Sequence, residues 1–156
     1  MSADVDGITR GLQRWAAAIN ARRVDSVLDL VSDDVVFSQP QGPTYAGKAA
    51  VHWLYRAAFR TYDVNERLQC DDIRVVGKLA MVRVTVRITL TPKTGGGAIA
   101  FIEQDAIRFR RHRNGEWKII SRLHAGPSAS LSTFARLANL SPRSAKARPP
   151  HSQTAD

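Results

Sequence analysis

Two carboxylates, Glu103 and Asp105, lie two positions apart in the segment FIEQDAIRF (101–109). The aromatic and aliphatic residues of this segment predict a β-strand, on which residues two apart share one face. Burial and a neighbouring carboxylate both disfavour the charged form of a carboxyl group. If the pair is buried, one member could be neutral and donate a proton while the other acts as a base, which is general acid–base chemistry.

Two further interpretations of the pair are open from the sequence. Arg83 and Arg87 lie on the polar face of the preceding predicted strand, and they could pair across the sheet with Glu103 and Asp105. The carboxylates would then be structural and ionised. Alternatively, the two carboxylates form an exposed polar patch that has no chemical role.

A histidine and several aromatic residues complete the set of candidate site residues. His124, near the end of the last predicted strand, could be a base or a proton shuttle because histidine titrates near neutrality, or it could be a hydrogen-bonded rim residue. Tyr45, in a loop rich in glycine and proline, could cap a ligand or anchor the loop. The aromatic residues that could line an apolar pocket, or simply pack as core, are Trp15, Phe37, Trp53, Phe59 and Tyr62.

The first part of the chain is predicted to be mainly helical. Apolar residues recur at three- and four-residue spacing from Val5 to Ile19, which is typical of one face of a helix. A short second helix is expected from Val24, a short strand at 35–40 and a third helix at 48–59. The inner face of the third helix is expected to carry Ala50, Trp53, Leu54 and Ala57.

The rest of the domain is predicted to be antiparallel sheet. Its strands are expected at 65–77, 79–92, 98–112 and 116–124. The clearest alternation places Val82, Val84, Val86, Ile88 and Leu90 on one face. Helices packed against one face of an antiparallel sheet make an α+β fold, and a curved sheet closed by helices can hold a small ligand. Alternatively, this apolar row lies on the outer face and mediates association.

Composition narrows the class of protein. The 156 residues argue for one domain with one core, which we place at 1–126. Residues 127–156 form a basic segment rich in proline, serine and alanine, expected to be partly helical or disordered. The net charge of +9 invites nucleic acid as a partner, but part of the basic run RFRRHR (108–113) precedes the turn signal Asn114-Gly115. That placement at a solvated turn argues against nucleic-acid binding.

Other classes of site and location are excluded by what the sequence lacks. One cysteine and four scattered histidines have no zinc-site spacing, so no metal is expected. No apolar run approaches the roughly 20 residues that span a membrane, and the N-terminus lacks the pattern of a secretory signal. We therefore expect a cytoplasmic protein with no membrane partner.

Three stretches carry a resemblance to a known superfamily. They are RWAAAINARRVDSVLDLVSDDVVFSQPQG (14–42), DAIRF (105–109) and NGEWKIISRLHAGPS (114–128). Together with the order of the elements, they resemble the nuclear transport factor two-like superfamily, in its SnoaL-like and ketosteroid isomerase-like branches. The resemblance covers about residues 5–126. It implies a cone-shaped α+β fold in which three N-terminal helices pack on a curved antiparallel sheet.

The resemblance also implies roles for individual residues. The protonated aspartate of the isomerase oxyanion hole matches Asp105, and its tyrosine falls on Trp15, whose indole N–H can only donate a hydrogen bond. The isomerase general base, an aspartate before a proline, falls on Gln39, which cannot accept a proton at useful pH. Gln39 would then orient the substrate, and Glu103 or His124 would move the proton.

The resemblance therefore implies a small-molecule-binding protein. Its ligand would be a small, apolar, oxygenated molecule, such as a lipophilic cyclic ketone of the steroid or polyketide class. If the protein is an enzyme, the reaction would be cofactor-free acid–base chemistry: isomerisation, cyclisation or dehydration. The alternative is a non-catalytic ligand-binding or dimerisation module on the same fold, and a homodimer formed through the sheet is expected in either case.

Overall fold

The computed structural model describes residues 2–38 and 43–124, the last of them by its backbone only. The predicted segment 127–156 and Gln39 lie outside the described residues. The elements in chain order are α1 (Ala3–Asn20), α2 (Val24–Leu28), β1 (Val31–Ser38), β2 (Tyr45–Ala46), α3 (Lys48–Thr61), β3 (Tyr62–Val76), β4 (Leu79–Pro92), β5 (Ile99–Arg111) and β6 (Trp117–His124). Within the described residues, no helix is long and apolar enough to cross a membrane.

One six-stranded sheet organises the molecule. Its strand order is β2-β1-β6-β5-β4-β3, and every neighbouring pair is antiparallel except β1 and β6, which are parallel. The three helices bury their apolar faces in the same core as the inner face of the sheet. The predicted α+β fold, with three helices on a curved sheet, is confirmed.

Helix α1 has the apolar face that its spacing predicts. Ser2 caps its N-terminus by accepting a hydrogen bond from the backbone N–H of Val5 at 3.2 Å, and its buried residues include Ile8, Leu12 and Trp15. Gly7 allows the helix to approach the sheet closely, because a Cβ at this position would lie 3.1 Å from Cδ1 of Trp117. The first turns of the helix thereby pack against Trp117 of β6.

The inner face of α3 includes the predicted Leu54 but is otherwise rotated by one position from the prediction. The buried residues are Val51, Leu54, Tyr55, Ala58 and Phe59, whereas Ala50, Trp53 and Ala57 are only partly buried. The helix carries two overlapping apolar stripes, and the sequence alone does not rank them. The observed rotation inserts the rings of Tyr55 and Phe59 into the core.

The apolar row of β4 lies inside. Val82, Val84, Val86, Ile88 and Leu90 are at most 6% exposed. Arg83 and Arg87 occupy the outer face of the same strand and are exposed. The alternative in which the apolar row mediates association from the outer face was therefore wrong.

Candidate functional site

Glu103 and Asp105 face the interior of the fold. They are 3% and 2% exposed, and their partners across the sheet are Val86 and Val84 of the buried row on β4. Arg83 and Arg87 lie on the opposite face of the sheet, so neither can pair with the two carboxylates. The cross-strand pairing and the exposed patch are both ruled out, and the buried alternative is the one observed.

The cation that does meet these carboxylates is Arg122 of β6. Its Nε donates to Oδ2 of Asp105 at 2.7 Å, and its Nη2 lies 3.3 Å from Oε1 of Glu66, with all three side chains at most 4% exposed. A β-bulge explains why Arg122 points inward. The register shifts so that Phe109 pairs with Ile119 while Arg108 pairs with Ser121, which leaves one extra residue in β6 and reverses its alternation.

Glu66 of β3 is the third buried carboxylate, and it is held from two sides. The indole Nε1 of Trp15 donates to Oε1 of Glu66 at 3.3 Å. The side-chain amide of Asn20 binds the backbone of Glu66 twice, donating to its carbonyl oxygen at 3.0 Å and accepting from its N–H at 2.7 Å. The end of α1 thus fixes the strand at the position that points Glu66 toward Arg122.

An aromatic shell surrounds these charges. The ring of Trp15 lies 5.8 Å from Phe37 and 5.7 Å from Tyr55, and Tyr55 lies 5.7 Å from Phe59, measured between centroids. The guanidinium carbon of Arg122 lies 5.8 Å from the Trp15 ring and 6.0 Å from the Phe37 ring. Cation–π attraction therefore adds to the ion pairs that stabilise Arg122 inside the protein. We call Glu66, Glu103, Asp105 and Arg122 the charged cluster.

The environment separates the protonation states within the charged cluster. Burial, and then the neighbouring Asp105, to which Glu103 is hydrogen-bonded, raises the pKa of Glu103 to about 9. Burial also raises the pKa of Glu66, although Arg122 opposes this rise. Burial alone would lower the pKa of Arg122, but Asp105 and Glu66 together raise it. At neutral pH the cluster therefore contains a neutral carboxylic acid, Glu103, beside an ion pair of Asp105 with Arg122.

The structure brings several of the predicted pocket residues to the charged cluster. Trp15 and Phe37 contact it, and Phe59 belongs to the same aromatic shell through Tyr55. Tyr62 is buried at the start of β3, and Trp53 is only partly buried.

Two other predicted site residues, Tyr45 and His124, lie on strands β2 and β6. Tyr45 is fully buried in β2 opposite Phe37, and its hydroxyl has no hydrogen-bond partner among the described residues, so both roles predicted for it stay predictions. The backbone of His124 pairs with Asp105. The structure does not describe the His124 side chain, so the roles proposed for it stay predictions.

Glu66, Tyr55 and Arg122 were missed from the sequence. Glu66 carries a signal that could have been used, because it falls on the inner alternation of Tyr62, Val64 and Leu68 as Glu103 and Asp105 do on β5. Arg122 had no such signal, since strict alternation from Trp117 and Ile119 would place Ser121 inside.

Three cavities lined by described residues lie away from the charged cluster. Three cavities of about 610, 600 and 410 Å³ are found, and none is lined by a member of the cluster. Two of them lie where α1 meets the β5–β6 turn, and the third lies between β3, β4 and β5 around Arg67 and Arg87. Among the described residues, no group of three or more histidine, cysteine, aspartate or glutamate side chains is arranged to hold a metal ion.

Comparison with known proteins gives a family model and a set of solved structures. The model of the SnoaL-like domain matches residues 12–120. No curated protein matches the chain. One similar structure is a ketosteroid isomerase-like protein from Erwinia carotovora atroseptica, with a TM-score of 0.71, 20% identity, and coverage of 81% of this chain and 100% of that chain.

Two further structures are similar at comparable coverage. A nuclear transport factor 2-like superfamily protein from Salmonella enterica has a TM-score of 0.65 at 19% identity, covering 79% of this chain and 90% of that chain. A protein from Novosphingobium aromaticivorans, provisionally named a scytalone dehydratase, has a TM-score of 0.73 at 14% identity, covering 80% and 84%. At these identities the likeness shows the fold.

Proposed function

This chain belongs to the SnoaL-like domain family, and on that premise we propose that it binds a small cyclic ketone and moves a proton on it without a cofactor. The ligand class is a lipophilic, ring-bearing carbonyl compound such as a steroid or polyketide intermediate. The reaction class is isomerisation, cyclisation or dehydration, all of which pass through proton transfer at or next to a carbonyl group.

The observation that carries the proposal is the neutral carboxylic acid in the charged cluster. Glu103 has a pKa of about 9, because it is buried and because Asp105 lies beside it. A carboxylic acid kept neutral by an apolar site can donate a hydrogen bond or a proton to a ketone oxygen at pH 7. Asp105 supplies the complementary acceptor, held in place by the 2.7 Å hydrogen bond from Arg122.

The contacts favour a different division of roles from the one that the resemblance implies. Asp105 is already engaged as the acceptor for Arg122, and the N–H of Trp15 is already donated to Glu66. We therefore assign the donor role to Glu103. Asp105, or His124 opposite it on β6, is the group that would take a proton from the carbon next to the carbonyl.

The surroundings of the cluster suit an apolar ring. Trp15, Phe37, Tyr55 and Phe59 present aromatic surface around the carboxyl groups, and Gln39 is predicted to orient the substrate. When a ketone binds, the proton that Glu103 shares with Asp105 would be redirected to the carbonyl oxygen. The acceptor would then receive the proton released from carbon, so that the cluster ends with the same number of protons.

The Glu103→Gln variant tests this proposal. Glutamine has the shape of a protonated glutamic acid but has no proton to transfer. A ketone from a panel of steroids and aromatic polyketides that stabilises the wild type should also stabilise the variant, by about 2.7 kcal/mol at 100 times its dissociation constant. Turnover of that ketone should fall by about 10²–10⁴-fold.

The matched control is Glu116→Gln, the same change at an exposed carboxylate in the β5–β6 turn. Turnover in this control should stay at the wild-type rate. Infrared spectroscopy adds a direct readout, because the carbonyl stretch of protonated carboxyl groups should be present at pH 7 in the wild type and should be weaker in Glu103→Gln by the contribution of Glu103. Equal turnover in Glu103→Gln and wild type would remove Glu103 from the mechanism.

A second candidate function is a non-catalytic module on the same fold. The burial of the charged cluster favours it, because Glu103 and Asp105 are at most 3% exposed and none of the three cavities lined by described residues includes them. In that case the cluster only sets the shape of the core. Ile102 and Leu123, which are 50% and 40% exposed, would form part of a homodimer surface on the outer face. The absence of stabilisation by any ketone in the panel would favour this candidate.

A further inference from the structure

Three elements meet at one end of the sheet, far from the charged cluster. The β5–β6 turn and the β3–β4 turn are joined by the backbone N–H of Arg111, which donates to the carbonyl oxygen of Lys78 at 2.8 Å. The first turns of α1 lie against Trp117 through Gly7. We call this region the hairpin end. It lies six residues along β5 from Asp105, or about 20 Å at the usual rise of a strand.

The hairpin end contains two neighbouring cavities that share Arg10 and Trp117. One of them, of about 600 Å³, has a strongly cationic lining: Arg10, Lys78, Arg111 and Arg113. The carboxylate in the same lining, Asp4, is already engaged by Arg111 at 3.0 Å. Four cations against one paired carboxylate leave a local excess of positive charge in a concave surface, which concentrates anions.

The remaining cations of this cavity are not neutralised by a carboxylate of the described residues. Within residues 2–38 and 43–124, Arg10, Lys78 and Arg113 make no ion pair, although many other arginines of the described chain do. His112 lines the same cavity, and its Nε2 is buried without a hydrogen-bond partner among the described residues. The turn holds it in place, since its backbone N–H donates to the carbonyl oxygen of Glu116 at 2.8 Å.

We propose that the hairpin end is a second site, which binds a small phosphate-bearing molecule. Arginine favours phosphate because its planar guanidinium donates two parallel hydrogen bonds to two oxygens, and this cavity contains three arginines. The cavity volume lies within the range of small-ligand pockets. Trp117 is only 8% exposed and is covered by Arg111, so its ring is not available for the base stacking that single-stranded nucleic acid uses.

The site is tested with inorganic pyrophosphate as the probe, at constant ionic strength. Calorimetry and thermal unfolding should both detect binding to the wild type. The double variant Lys78→Gln/Arg113→Gln removes two exposed cations, neither of which makes an ion pair within the described chain, so it should fold normally and bind pyrophosphate at least about tenfold more weakly. The ring signals of His112, assigned with a His112→Gln variant, should shift in the wild type when pyrophosphate is added.

The matched control is Arg67→Gln/Arg87→Gln, which removes the same charge from exposed positions that pair across β3 and β4. It should bind pyrophosphate as the wild type does. An equal loss in both double variants would show a diffuse effect of net charge and overturn the site. No binding to the wild type, or tighter binding of a single-stranded oligonucleotide than of pyrophosphate, would overturn it as well. The proposal is independent of the charged cluster, so Glu103→Gln should leave pyrophosphate binding unchanged.

Discussion

The charged cluster and the hairpin end use the same residue types under opposite conditions. In the cluster, one arginine inside the core pairs with two of three buried carboxyl groups, and its side chain is 3% exposed. At the hairpin end, four cations share one carboxylate, and three of those cations are exposed. The inner region satisfies its charges with one another, whereas the outer region leaves them available to an external anion.

This contrast indicates that the energetic role of an arginine depends on its surroundings more than on its contacts. A buried ion has lost its water, so the electrostatic interactions within the cluster are strong. Removal of one partner leaves the other charge buried and uncompensated, which lowers stability. An exposed ion keeps its water and is screened by salt, so its removal costs little. Three predictions, each with its own variants, test this contrast.

The largest effect is expected from Arg122→Met. Methionine keeps the length and apolar contacts of the side chain but removes its charge, so Asp105 and Glu66 are left buried without a cation. We expect the free energy of unfolding at pH 7 to fall by about 3–5 kcal/mol, measured by urea denaturation. The loss of stability should be smaller toward pH 5, where the carboxyl groups left without a cation can be protonated.

The same substitution at the hairpin end, Arg113→Met, is the counterpart. Arg113 is exposed and lies among like charges, so we expect a change within about 0.5 kcal/mol. The contrast between the two regions would fail if both variants lost a similar amount of stability. A loss below about 1 kcal/mol for Arg122→Met alone would mean that the carboxyl groups of the cluster are already neutral in the wild type.

An intermediate effect is expected in the pH dependence of stability. The pKa of Glu103 rises from an ordinary 4.5 to about 9 on folding. Between these values the folded protein keeps a proton that the unfolded chain has released. The stabilisation is therefore fully present below about pH 4.5 and is lost as pH rises to about 9. The slope for one such group is about 1.4 kcal/mol per pH unit, or roughly 2.7 kcal/mol between pH 6 and pH 8.

Glu103→Gln should remove this slope, because glutamine has no proton to lose. Its stability relative to the wild type should therefore grow as the pH rises, when both are followed by urea denaturation from pH 5 to pH 9. Part of the slope should remain, since burial also raises the pKa of Glu66. Glu116→Gln should leave the slope of the wild type intact. Parallel curves for Glu103→Gln and wild type would show that Glu103 is ionised in the folded protein.

Much of the fold could be predicted from the sequence because alternation and helical spacing are local. The apolar row of β4 and the face of α1 follow from residue order alone, and so does the shared inner face of Glu103 and Asp105. The rotation of α3 does not, because Trp53 and Tyr55 lie on competing stripes and the choice between them depends on what the sheet presents. That choice is a property of the packed core.

The charged cluster could be predicted from the sequence only in part. Its carboxylates lie on regular strands. Each of them, Glu66 included, can therefore be identified in the sequence as a charged residue within an otherwise apolar inner face. Its cation does not lie in a regular register, since one extra residue in β6 reverses the alternation before Arg122. A bulge depends on how two strands pair, and nothing in WKIISRLH distinguishes the arginine that enters the core from the many that remain outside. The partner of the predicted pair was therefore sought on the wrong strand.

The smallest effect is expected at the surface pair of Arg110 with Asp34, and it isolates the cause of the contrast. Nη2 of Arg110 lies 2.8 Å from Oδ1 of Asp34, almost the distance that joins Arg122 to Asp105, but the two side chains are 38% and 66% exposed. The hydrogen bond from Arg110, helped by Ser32, lowers the pKa of Asp34 to about 2. This stabilisation is present above about pH 3.8 and is lost as the pH falls to about 2.

Arg110→Gln should return the pKa of Asp34 toward 3.8, followed by NMR titration of its carboxyl group, and should lower the free energy of unfolding at pH 7 by less than about 1 kcal/mol. Equal distances would then give unequal energies, because only the inner pair has been removed from water. A loss as large as that of Arg122→Met would instead mean that contact distance sets the energy of an ion pair in this protein. The cations of the hairpin end that make no ion pair within the described residues would then reduce the stability of the protein.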